Sequence, residues 1–142
     1  MLTELETKME FASKAENINL VEKLIDEIRE QYLLSEDVYG NMIVAVTEAV
    51  TNAIHHGNKL NPLKTVTLKC DYKDDTIVFL ITDQGPGFNQ YNLPDPTAPE
   101  NLEKPHGRGI FLMKHLTDQI IFSDEGRTVE LCFKLTESPV EN

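Results

Sequence analysis

The stretch from Gln84 to His106 holds Pro86, Pro94, Pro96, Pro99 and Pro105, five of the seven prolines in the chain. Each fixes its own φ and removes a backbone donor, so regular structure cannot run through this segment. An irregular connection of that length inside a compact domain is uncommon unless it is disordered or closes over a site as a lid. Its flanks favour a lid. Before it, "ITDQGPGF" takes a run of strand-forming residues from Thr76 to Thr82 into Asp83, then Gly85 and Gly87 about a proline. After it, Gly107-Arg108-Gly109 opens onto the apolar run "IFLM". Alone, the first flank is equally a surface turn and the second a plain helix entry. Glycines at a helix N-terminus, however, leave backbone N–H groups bare, and with the helix dipole these suit a phosphate. The pattern GxxxxGK[ST] is absent, so a nucleotide would be held in some other way.

The rest of the chain reads as alternating elements. "ELETKMEFAS" is a first strand, with Glu16 and Asn17 in a turn after it. Ile18, Val21, Leu24, Ile25, Ile28 and Tyr32 recur at helical spacing. Ser35 or Asp37 can cap a second helix through "VYGNMIVAVTEAVTNAIHH" that stops near Gly57. "KTVTLKCDY" and "DTIVFLITD" form a hairpin about Lys73-Asp74-Asp75, "GRGIFLMKHLTD" is a short helix, and "QIIFSDE" with "RTVELCFKL" makes a second hairpin about Gly126. Such an order predicts an α+β fold: a two-layer α/β sandwich with a mixed, mostly antiparallel sheet and the helices on one face.

The second helix carries the chemistry. Met42, Val46, Ala49, Val50, Ala53 and Ile54 gather on its apolar face, while Glu48 and Asn52, four apart, project together roughly opposite the centre of that face. Such a pair is most often a solvated polar face. Beside a phosphate site it has another use. An amide oxygen can ligate Mg²⁺, and a carboxylate can accept a proton from a nucleophile attacking the γ-phosphorus. His55 and His56, about 100° apart on a helix, make a poor pair of metal ligands and read as a helix-end feature.

A chain of 142 residues is the size of one ordinary domain. Its net charge of −11 argues against a nucleic-acid backbone as main partner. No run of about 18 apolar residues is present to span a membrane. The acidic N-terminus "MLTELETKME" carries no signal-peptide pattern. Cys70 and Cys132, without CxxC spacing, read as small core residues of a cytoplasmic protein, not as zinc ligands.

In this order and at this spacing, "EAVTNAIHHG", "DQGPGF" and "GRGIFLM" resemble the GHKL ATPases, and most of all the stand-alone serine-kinase anti-sigma factors of bacteria. The resemblance covers about residues 8–136 of a single histidine-kinase-like ATPase domain, 1–142, with an ATP lid at about 84–106. It implies the Bergerat fold, ATP and Mg²⁺. It also implies a role for each matching residue. Glu48 is then the general base and Asn52 the Mg²⁺ ligand. Asp83 accepts from the adenine amino group, and Gly85 and Gly87 let the backbone approach the nucleotide. Gly107 and Gly109 form the phosphate turn with Arg108 between them, and Thr128 joins Asp83 at the adenine, although an ordinary strand threonine is equally open there.

Two departures stand out. Pro105 and His106 occupy positions where many members carry a further glycine, and the histidine-bearing dimerisation helices of a histidine kinase are missing. A substrate hydroxyl would therefore lie on another protein. The resemblance implies an ATP-dependent protein serine/threonine kinase that phosphorylates an anti-sigma-antagonist and regulates a sigma factor by partner switching, and it is compatible with a homodimer. The alternative is a non-catalytic, ATP-dependent partner-binding module in another bacterial signalling pathway. Glu48 favours the kinase, since a binding module needs no base. The lid is expected to order over a γ-phosphate, with Lys104 or Arg108 closing on the charge.

Overall fold

A computed structural model describes residues 6–87 and 105–136. Strand β1 (Glu6–Ala12) leads through a short 3₁₀ turn into helix α1 (Ile18–Tyr32), followed by α2 (Glu36–Asn52). Strands β2 (Thr65–Lys73) and β3 (Thr76–Thr82) come next, then α3 (Pro105–Leu116), β4 (Gln119–Ser123) and β5 (Thr128–Lys134). The five strands form one sheet in the order β1-β2-β3-β5-β4. Every ladder among them is antiparallel, where a mixed sheet was expected. The expected two-layer α+β sandwich is what forms.

Strand alternation decides which face the helices cover. Val66, Leu68 and Cys70 of β2, Ile77, Phe79 and Ile81 of β3, and Val129, Leu131 and Phe133 of β5 all turn inward and are buried. Val21, Leu24, Ile25 and Ile28 of α1 meet them with Met42, Ala45, Val46, Ala49 and Val50 of α2 in one core. Each fully buried Ile, Leu or Phe contributes roughly 1.5–3 kcal/mol. Phe79 and Phe133 pack edge to face, 5.9 Å between ring centres. Ile120 and Phe122 turn β4 onto this core, while Ile121 on the alternate side is 42% exposed. Cys70 and Cys132 are both buried free thiols, as read, and burial pushes the Cys70 thiol well up.

The turns follow local chemistry. Ser35, not Asp37, caps α2 by accepting from the Val38 N–H at 3.1 Å, while Glu36 and Asp37 face the helix dipole in the first turn. The β2–β3 hairpin closes on two residues, Asp74 and Asp75, with φ of 52° and 60°, the left-handed pair that matches strand twist. α3 begins at Pro105 and not after His106. Proline is at home there because a first-turn N–H would have no helical partner anyway. Residues 88–104, most of the expected lid, lie outside the described residues, and Lys104 with them.

Candidate nucleotide site

Beyond Asn52 the helix changes pitch. Ala53–Gly57 form one π-helical turn, closed by the Asn58 N–H donating to the Ala53 carbonyl at 2.8 Å. Single π turns commonly mark functional sites. This one turns His56 and Gly57 toward the end of β3. A β-carbon on Gly85 would collide there with the Gly57 carbonyl, so the chain after Asp83 passes against the π turn in a way only glycine permits. Gly85 was expected, with Gly87, to let the backbone approach a nucleotide; the approach seen here is between two parts of the protein itself.

A cavity of about 290 Å³ opens between α2, α3, β3 and β5. Its walls are apolar: Ala49 and Ala53 from α2 and the π turn, Ile81 and Val129 from the sheet, Ile110 and Met113 from α3, and Phe122 from β4. Polar groups are confined to a few positions, Asn52 on the α2 side and His56, Asp83 and Arg127 elsewhere on the rim. An apolar slot with sparse polar ends suits a flat heteroaromatic ring.

The two polar ends differ in character. At one, Glu48 and Asn52 are partly buried and face the head of α3. A β-carbon on Gly109 would lie 3.0 Å from Glu48 Oε2 and 3.1 Å from Asn52 Nδ2. Sequence spacing put the pair on one stripe, as found, but opposite the core. Helix α3 instead encloses it, a packing that the wheel of α2 alone does not contain. Asn52 Nδ2 is buried without a hydrogen-bond partner among the described residues. A buried amide left so costs about 1–3 kcal/mol, and it points to a ligand. Gly107 and Arg108 lie in the first turn of α3, Gly109 opens the second, and no acid occupies the first turn. The positive end of the helix dipole is therefore left for an anion.

At the other end, Asp83 follows β3 with its backbone N–H donating to the Arg127 carbonyl at 2.9 Å, and its Oδ1 accepts from the Gly85 N–H at 2.8 Å. Burial raises its carboxyl above the ordinary range. The Gly85 N–H, Arg127 and Lys64 oppose that shift, and Asp124 adds to it. Burial, helped by His55, lowers the His56 imidazole.

Two residues here, Asn58 and Arg127, were not singled out from sequence. Asn58 is 1% exposed. It donates to Ser13 Oγ at 2.6 Å and to the Thr65 carbonyl at 2.9 Å, and it accepts from the Gln84 N–H at 2.7 Å. Gln84 Oε1 in turn accepts from the Thr65 N–H at 2.7 Å. Nothing in the sequence separates this asparagine from one in an exposed turn. Arg127 lines the cavity, whereas Thr128 does not. The Thr128 hydroxyl pairs at 3.0 Å with Thr82, its register partner, not with Asp83. A signal for the direction of Thr128 existed: Val129, Leu131 and Phe133 point inward, so alternation sends residue 128 outward, whereas Arg127 precedes β5 in a helical backbone conformation that alternation does not reach.

Among the described residues no group of three His, Cys, Asp or Glu side chains could hold a metal, and no helix is long and apolar enough to cross a membrane. The family model of a histidine kinase-like ATPase domain matches residues 11–133. The chain is 27% identical to a serine-protein kinase RsbW of Bacillus mycoides (strain KBAB4), covering 95% of this chain and 88% of that protein. It is 27% identical to a serine-protein kinase RsbW of Staphylococcus epidermidis, covering 95% and 90%. A crystal structure of the RsbU and RsbW domains of a Mycobacterium tuberculosis protein superposes with a TM-score of 0.66 at 14% identity. That match spans 94% of this chain and 33% of the solved one, so it speaks to the fold alone.

Proposed function

The chain belongs to the histidine kinase-like ATPase domain family, and from that premise we propose that it is an ATP-dependent protein serine/threonine kinase of the anti-sigma factor type. Its substrate is an anti-sigma-antagonist protein, and its other partner is a sigma factor that it releases or holds by partner switching in the cytoplasm. The observation that carries this reading is the pairing of Glu48 and Asn52 against Gly109 of α3, with Asn52 lining a cavity that also presents Asp83. The relatives named as serine-protein kinases support the choice of hydroxyl acceptor.

In this reading Asp83 accepts a hydrogen bond from the adenine amino group and the apolar walls take the ring. The Gly107 backbone N–H in the first turn of α3 and the Arg108 guanidinium hold phosphate, while the Gly109 N–H is taken by the helix that starts at Pro105. Asn52 fits a hard cation: its amide is buried, under-bonded, and offers an oxygen when rotated. Mg²⁺ there would neutralise charge on the phosphates. Glu48 takes the proton from a serine hydroxyl as that oxygen bonds to the γ-phosphorus and the bond to the β-phosphate oxygen breaks, leaving ADP.

The test is transfer of labelled γ-phosphate to a protein captured from native cytoplasm with the chain. Transfer by the wild type and its loss in Glu48→Gln are expected. ATP-dependent capture without any transfer would leave the non-catalytic module as the better reading.

A further inference from the structure

The turn between β4 and β5 is built against its own preferences. Asp124, Glu125 and Gly126 have φ of 51°, 55° and 82°, three successive residues in the left-handed region, of which only the last is glycine. Such a turn persists only where its surroundings over-determine it. Facing it is the loop after Asp83, where Gly87 has φ of 80° and a β-carbon would run into the Glu125 carbonyl. Two irregular turns thus meet at the Asp83 end of the cavity.

One side chain joins them. Arg127 donates through Nε to the Gly85 carbonyl at 2.8 Å and through Nη2 to the Pro86 carbonyl at 3.0 Å. Nη1 reaches the Asp124 carbonyl at 3.2 Å and Glu125 Oε2 at 3.3 Å. The Arg127 backbone N–H donates to the same Asp124 carbonyl at 3.0 Å. A planar fork spreads its donors over three nitrogens in fixed directions and so holds three carbonyls of two turns at once, whereas an ammonium presents its three donors from a single nitrogen.

We propose that Arg127 is a positioning residue that assembles the base end of the nucleotide pocket by forking across the Gly85–Pro86 and Asp124–Glu125 turns. This rests on the nucleotide reading above and adds to it a determinant that acts through Asp83 and not on the phosphates. The charge is secondary. Its acidic partners Asp124 and Glu125 are 63% and 78% exposed, and surface pairs of that kind contribute little. The carbonyl contacts, made beside a carboxylate half withdrawn from water, are the part that geometry makes specific.

The experiment is calorimetry of Mg·ADP binding to the wild-type chain, Arg127→Lys and Gly87→Ala, with thermal unfolding of each protein free of nucleotide. Arg127→Lys is expected to weaken ADP by about tenfold to a hundredfold, the size of one or two lost charge-assisted hydrogen bonds, although it keeps the charge. Gly87→Ala, which forces the turns apart with Arg127 intact, is expected to weaken ADP in the same direction. In phosphoryl transfer, KM for ATP should rise in Arg127→Lys with kcat at saturation within about twofold, as for lost uniform binding. Wild-type ADP affinity in Arg127→Lys overturns the proposal and leaves the nucleotide reading standing. Failure of the wild type itself to bind ADP overturns both. Should Arg127→Lys unfold, undiminished ADP affinity in a folded Gly87→Ala overturns the proposal instead.

Discussion

Gly109 stands so close to Glu48 that a β-carbon on the glycine would lie 3.0 Å from Oε2 of the carboxylate, near enough that the side chain would have to give by a few tenths of an ångström. Helix α3 is thereby seated on α2 at the one point where the proposed base projects. The obstruction would be side-chain ends, so a substitution is borne by Glu48 and the Asn52 amide and not by the backbone. Gly109→Ala should therefore fold, helped by the roughly 1 kcal/mol helix preference of alanine over glycine. It should still lose phosphoryl transfer by about tenfold to a hundredfold, because small displacements of a reacting group are costly. Melting temperature and kcat measured together check this; an unchanged kcat would separate Gly109 from the catalytic geometry.

Chemistry and binding should part at Glu48. The carboxylate faces Gly109 of α3 and is not among the groups that line the cavity. Glu48→Gln keeps the shape and removes the basic oxygen. Transfer should fall by about 10²–10⁴-fold, the range for general-base catalysis, with ADP affinity within about twofold. Single-turnover kinetics beside calorimetry are the measurement.

How much of this site could be read from residues alone varies with distance along the chain. Glu48 and Asn52 share one helix, so their common stripe follows from spacing. Their enclosure by Gly109 comes from a helix some sixty residues later and leaves no local trace. Asp83 was legible because a strand rarely runs into a carboxylate followed by two glycines. The outward direction of Thr128 was legible in principle, from the inward alternation of Val129, Leu131 and Phe133, but Arg127 was not, since it precedes β5 with helical backbone dihedrals. The π turn was not legible, since one i→i+5 bond has no residue signature. Neither was the burial of Asn58, which depends on Ser13, Thr65 and Gln84 meeting from three separate segments. The two hairpins and the faces of their strands were legible from short turns and simple alternation, but the pairings of β1 with β2 and of β3 with β5 were not, since they join segments far apart in the chain.

Asp83 should trade stability for binding. Its carboxyl is raised by burial above 3.8. Between the unfolded and folded values the folded chain holds more protons than the unfolded one, so stability falls as pH rises through that window, and the deficit persists at neutral pH. Asp83→Asn can still accept from the Gly85 N–H. Free of nucleotide it should melt higher than the wild type at pH 7, with the gap closing as pH drops below the window. It should also weaken ATP by about 1–3 kcal/mol, the range for a charge-assisted hydrogen bond. In the wild type, ATP affinity should fall on acidification at a higher pH than an ordinary aspartate would set. Calorimetry across pH and thermal melts give both halves; a lower melting point for Asp83→Asn at pH 7 would contradict the sign.

Asn58 should be where stability and the site are hardest to separate. Its amide fills a junction between the end of β1, the π turn, the start of β2 and the residue after Asp83, and at 1% exposure no water replaces it. Ser13 Oγ passes the network on to the Lys64 carbonyl at 3.0 Å. Asn58→Ala strands the Gln84 N–H and the Thr65 carbonyl together, and each stranded buried group costs about 1–3 kcal/mol. Ser13→Ala removes one acceptor of the amide and should cost about 1–2 kcal/mol, near the lower end of that range. Both should shift the urea midpoint without changing the slope, with Asn58→Ala the larger by at least twofold. Only Asn58→Ala frees Gln84, so it alone should also weaken ADP, measured where the variant is still fully folded. Equal losses of ADP affinity in the two variants would mean that the network serves the fold and leaves the position of Asp83 to Arg127 and the π turn.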